Sequence, residues 1–133
     1  MIGTQRSGSN LLRLMVDQLQ EIAALHPPHI LQRMMPLMEL YGDLSDEGVF
    51  AQLVDDVCRL VELNPVPWKG VAFSREKVIS LCEEPSLAAV YGAVYQLAAE
   101  AKGAKSWLCK SLANVAYLPE IERYFGKSAK YIY

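Results

Sequence analysis

The chain has 133 residues, 52% of them apolar, with a formal charge of −2. That suffices for one domain with a real core and leaves no room for a second. So weak a charge gives no basic field for nucleic acid, and no apolar run reaches the roughly 18 residues of a membrane span or forms a signal-peptide core, so a cytoplasmic location is expected, with no nucleic acid partner and no membrane span.

The first element in chain order is a glycine-bracketed loop, Gly3-Thr4-Gln5-Arg6-Ser7-Gly8, running into Ser9-Asn10-Leu11-Leu12. Gly3 and Gly8 can take backbone angles that a side chain forbids, so the amides between them can turn inward, and the helix that follows adds its positive end. The pattern predicts a cradle for a phosphate or sulfate group. Gly-x4-Gly is also the first half of the Walker loop, yet Ser9 and Asn10 stand where that motif requires Lys and then Ser or Thr. The cation is instead Arg6, inside the loop, whose planar guanidinium can hold an oxyanion through two parallel hydrogen bonds.

Helical spacing then runs over residues 7–23, with Leu11, Met15, Leu19 and Ile22 on one face and Arg13, Asp17 and Gln20 opposite, where Arg13 and Asp17 could pair at i, i+4. Pro27 and Pro28 forbid continuation and leave His26 and His29 in an extended turn before a short Met-rich helix over 30–41 that Pro36 interrupts. Ser45 is the expected N-cap of the next helix, striped by Phe50, Leu53, Val54, Val57 and Leu60 and ending before Asn64-Pro65. Ser74 caps a helix to about Glu83 that turns Val78, Ile79 and Cys82 inward. Pro85 opens the strongest helix, with Leu87, Val90, Tyr91, Val94, Leu97 and Ala98 in helical register and Gly103 as its C-cap. Residues 104–109 read as a buried strand, 114–124 as a helix stopped by Gly126, and 128–133 as another strand. Cys58, Cys82 and Cys109 are odd in number and widely spaced in apolar sequence, which predicts reduced core thiols. Asp55-Asp56 and Glu83-Glu84 are adjacent on helices and diverge by about 100°, too far to act as paired carboxylates.

Arg6-Ser7-Gly8-Ser9-Asn10-Leu11-Leu12 resembles the 5′-phosphosulfate-binding loop of sulfotransferases. Trp107-Leu108-Cys109-Lys110-Ser111, then Tyr117-Leu118-Pro119-Glu120 and residues 125–132, resembles the strand, lysine, helix and next strand of the same family. The likeness covers about thirty residues at each end, while the helical middle matches no motif. It implies an α/β fold of P-loop-like, three-layer type, with a short parallel sheet and a large helical insertion, truncated at both ends. It divides a single partial domain into the loop, helix and base (1–29), a helical region (30–103) and a strand-helix-strand unit (104–133). The donor it implies is 3′-phosphoadenosine 5′-phosphosulfate, with no metal, held by Arg6, Ser7, Gly8, Ser9, Asn10 and Leu11.

The resemblance implies transfer of a sulfuryl group to a hydroxyl or amine, in which the acceptor atom attacks sulfur in line as the phosphate leaves, so the needs are positioning, charge stabilisation and a base. Lys110, just past a strand end, matches the family lysine that faces the reacting centre. Sulfotransferases use a histidine or a glutamate as base one helix beyond the loop, where this chain has His26 and His29; an imidazole with a pKa of about 6.5 can accept a proton at neutral pH. The acceptor, a small molecule, carbohydrate or peptide, leaves no signature. The resemblance implies a sulfotransferase, of which this chain is expected to be a partial, donor-binding portion, with its own activity left open. Two alternatives are a P-loop nucleotide kinase relative, which lacks its Lys-Ser pair, and a non-catalytic helical module that self-associates through an incomplete sheet edge.

Overall fold

The computed structural model describes residues 1–2 and 6–132. Its architecture is α/β, dominated by helix, with seven α-helices and a two-stranded parallel sheet among the described residues. The helices are α1 (Ser9–Val16), α2 (Ile30–Met34), α3 (Met38–Tyr41), α4 (Glu47–Glu62), α5 (Arg75–Leu81), α6 (Leu87–Ala101) and α7 (Leu118–Phe125). Strands β1 (Ile22–Ala23) and β2 (Ser106–Trp107) pair with Ile22 opposite Ser106 and Ala23 opposite Trp107. The Leu108 amide continues the ladder to the Ala23 carbonyl (2.9 Å).

Two further hydrogen bonds tie the chain ends to this sheet. The Met1 nitrogen donates to the Cys109 carbonyl (2.8 Å) and the next amide, Ile2, to the Ile132 carbonyl (3.0 Å). Met1-Ile2 is thus bonded both to the segment leading out of β2 and to Ile132, beside the two-stranded sheet.

The core is built around α6. From Leu87 to Ala99 every residue but Gln96 is buried, because alanines at the contact positions let neighbours approach on all sides. Helices α2, α4, α5 and α7 and strand β2 all pack on it. Tyr91 and Tyr95, one turn apart, meet at 5.1 Å between ring centroids, and Tyr95 stacks on Trp107 at 4.8 Å. Gly92 is required here, since a Cβ would lie 2.9 Å from the Phe125 ring. Cys58, Cys82 and Cys109 are free thiols; burial pushes Cys58 up to about 12 and the half-buried Cys82 up to about 11. Asp55 and Asp56 diverge as expected, Asp55 accepting from Arg75 Nε (2.9 Å) and Asp56 from the Tyr41 hydroxyl (2.7 Å).

Several boundaries differ from the sequence expectation. Helix α1 stops at Val16 rather than near residue 23, because tight turn bonds from Gln18 to Met15 and Leu19 to Val16 reverse the chain into β1. The cap of α4 is Asp46, whose carboxylate accepts from the amides of both Gly48 (2.9 Å) and Val49 (3.0 Å), and not Ser45, whose own amide is held by Asp43. The strand at 104–109 contracts to β2, the helix at 114–124 begins as a 3-10 turn (Leu112–Tyr117) before α7, and Gly126–Ser128 is a further 3-10 turn where a strand start was expected. Ser74 and Ser86 cap α5 and α6 as amide acceptors, and Pro36 sits in a 3-10 interruption between α2 and α3.

Candidate functional site

The orientation of α1 defines the site. Its apolar residues face outward, Leu11 at 65% and Met15 at 61% exposure, while Arg13 is buried at 8%. The sequence reading separates these two faces without deciding which is buried. The cause of the orientation is the edge of β1, whose free side leaves the Ala24 backbone needing partners. Arg13 Nη1 donates to the Ala24 carbonyl (2.7 Å), and Asp17 Oδ1 accepts from the Ala24 amide (3.0 Å). Arg13 and Asp17 thus converge on one residue of the neighbouring segment. Lys102 completes the set at 2.9 Å from Asp17. Burial alone would push the Asp17 carboxyl up, but the bonds from Lys102 and the Ala24 amide bring it below the usual carboxylate range.

That clamp holds α1 to the end of β1. Arg6 (φ 62°) and Gly8 (φ 76°) are both left-handed, and Gly8 is the N-cap of α1, with the Leu12 amide donating to its carbonyl (3.1 Å). The amides of the first turn, at Ser9, Asn10 and Leu11, precede that first intrahelical bond and have no helical carbonyl to pair with, which is the arrangement an anion uses. Ser7 and Asn10 are exposed and Ser9 is buried. Gly3, the first glycine of the expected cradle, lies outside the described residues. Arg13 Nε approaches Asn10 Oδ1 at 3.4 Å, so one guanidinium spans the cradle and the end of β1.

Just past β1 come His26, Pro27, Pro28 and His29, and just past the β2 segment come Lys110 and Ser111. Both prolines are fully buried, and the Trp68 indole donates to the His26 carbonyl (2.7 Å), so this turn is held rigidly. His29 takes a left-handed backbone (φ 59°), strained for a residue other than glycine, and its Nδ1 lies 2.8 Å from Ser111 Oγ. The Nδ1 of His26 is buried without a partner among the described residues. Burial lowers the pKa of both imidazoles, helped at His26 by Arg13 and Lys110 and at His29 by Arg33, His26 and Lys110. Both rings are therefore neutral at pH 7, and both sense the Lys110 ammonium.

The carboxyl ends of β1, of the β2 segment and of Met1-Ile2 thus carry His26 and His29, Lys110, and the loop with Arg6. Open α/β sheets bind ligands at this edge. Cations and free amides of this kind are the chemistry that a sulfate or phosphate ester requires, and an imidazole can exchange a proton. A separate open cavity of about 850 Å³ between α6, α7 and the terminal segments is lined by aromatic residues including Tyr91, Trp107 and Phe125, and by none of these groups.

Sequence reasoning assigned no site role to Arg13 or Ser111. Arg13 was legible only as the residue three after Asn10, hence on the same helical face. Ser111 was visible only as the neighbour of Lys110.

A family model described as "Sulfotransferase family" matches residues 1–133, the whole chain. The chain belongs to the sulfotransferase family. Neither the curated proteins nor the solved structures contain a match to it.

Proposed function

We propose that the chain forms the donor side of a sulfotransferase site of P-loop-like type, which takes the sulfuryl group of 3′-phosphoadenosine 5′-phosphosulfate to a hydroxyl or amine. What supports this reading is the left-handed Arg6 and Gly8 ahead of α1, a helix whose Arg13 bears electrostatically on His26, together with the nearness of His26, His29 and Lys110 to one another. Arg6 and the amides of Ser7, Gly8, Ser9, Asn10 and Leu11 hold the 5′-phosphosulfate. His26 takes the acceptor proton as the acceptor oxygen or nitrogen bonds to sulfur. The bond from sulfur to the bridging oxygen breaks, and Lys110 stabilises the charge that oxygen acquires as 3′-phosphoadenosine 5′-phosphate leaves. No metal takes part in this scheme.

Isothermal titration with 3′-phosphoadenosine 5′-phosphate tests it. Metal-independent binding that weakens at least tenfold in Arg6→Ala is the expected result. Preference for ADP with Mg²⁺ would sink the reading in favour of a nucleotide kinase relative. A non-catalytic module that pairs with a second copy of itself is the other reading, and the outward Leu11, Leu12, Met15 and Leu19 favour it. Light scattering that finds only monomer at high concentration would remove it.

A further inference from the structure

We propose that Ser111 is a positioning residue that holds His29 in the tautomer carrying its proton on Nε2, so that His29 is a hydrogen-bond donor to the bound anion and His26 is left as the base. Ser111 is 1% exposed, so water does not reach it. Its amide is turned toward Cys109 Sγ (3.5 Å) and its carbonyl accepts from the Asn114 amide (3.0 Å). Among the described residues the hydroxyl has one partner, His29 Nδ1 at 2.8 Å. A serine hydroxyl has one proton to give, and a buried one left without an acceptor is costly. The imidazole nitrogen can accept that proton only if it carries none itself. A neutral ring with Nδ1 accepting must then have its proton on Nε2.

The opposite arrangement, with Nδ1 donating to Oγ, would leave the Ser111 proton buried with no acceptor. Protonation of the ring is opposed by burial and by Arg33, His26 and Lys110, the charged and titratable neighbours contributed by α2, by the turn after β1 and by the segment after β2. His26 differs, because among the described residues its Nδ1 has no partner to impose a tautomer. Two histidines three residues apart are thereby given different roles by one serine. The left-handed backbone of His29 is consistent with a ring whose direction is dictated by that bond rather than by local preference.

The role given to the Nε2 proton rests on the proposed sulfotransferase site, whereas the tautomer does not, and the experiment separates them. The chain has only two histidines, so long-range proton–nitrogen spectra of the ¹⁵N-labelled protein resolve both rings, with His26→Gln giving the assignment. At neutral pH we expect His29 to show an unprotonated Nδ1 and a protonated Nε2, fixed in Ser111→Thr and relaxing to two exchanging tautomers in Ser111→Ala. A protonated Nδ1 in the native chain overturns the proposal, as does a folded Ser111→Ala with an unchanged His29 pattern. Addition of 3′-phosphoadenosine 5′-phosphosulfate should then shift the Nε2 resonance of His29. The expected tautomer with no such shift would contradict the donor role and the site reading while leaving the Ser111 assignment standing.

Discussion

Helices α1 and α6 bury opposite kinds of surface. In α6 nearly every side chain is apolar and inside, and the helix is the centre about which the others pack. In α1 the leucines and methionine face out, and the face turned to the protein carries Ser9 and Arg13. Hydrophobic area decides the first orientation, and the backbone of an unpaired strand end decides the second. A buried guanidinium bonded to a carbonyl, with a carboxylate on the partner amide, outweighs the modest apolar area of an eight-residue helix. The result ties α1, through Arg13 and Asp17, to Ala24, two residues before His26.

The difference can be pressed by substitution. Tyr95→Ala in α6 should have the largest effect, a loss of about 3–5 kcal/mol in urea unfolding, because a buried ring stacked on Trp107 and edge-on to Trp68 leaves a cavity at the centre. Arg13→Ala should come next, at about 1–3 kcal/mol, by orphaning the Ala24 carbonyl. A loss no larger than that of a surface residue would mean that α1 is not held by its polar face. Met15→Ala on the outer face should change stability by less than about 0.5 kcal/mol.

Acid should act on the α1 edge before the core. His26 and His29 have folded pKa values below the unfolded value of about 6.5, so the unfolded chain binds more protons in the window beneath it and stability falls as pH drops from there. Asp17, also depressed, adds a second loss at pH below about 4. Replacing both histidines by glutamine should flatten stability between about pH 5 and 6.5; an undiminished slope would assign it to other groups. The buried tyrosines of α6 titrate far above this range.

Much of the fold is legible in the sequence where local signals and burial agree. Helices α4, α5 and α6 have caps, periodicity and terminators that point the same way, and all three form within a residue or two of expectation, apart from the Asp46 cap. Helix α1 ends earlier than its periodicity indicates, and which of its faces is buried is not legible, because its partners, Ala24 and Lys102, lie in other segments. For the site, the left-handed Gly8 and the gathering of His26, His29 and Lys110 follow from glycine placement and strand ends. The clamp through Arg13 and the bond from Ser111 to His29 join positions 11 and 82 residues apart, and no pattern along the chain announces them.

The central claim is that the loop at the start of α1 and the edge bearing His26, His29 and Lys110 form one anion site. The most direct test is an amide and side-chain NMR titration of the chain with 3′-phosphoadenosine 5′-phosphosulfate. The account predicts that Gly8, Ser9 and Asn10 amides and the His26, His29 and Lys110 side chains shift together along one saturation curve, and that all of these shifts vanish in Arg6→Ala. Shifts confined to either group, or two groups saturating at different concentrations, would contradict it.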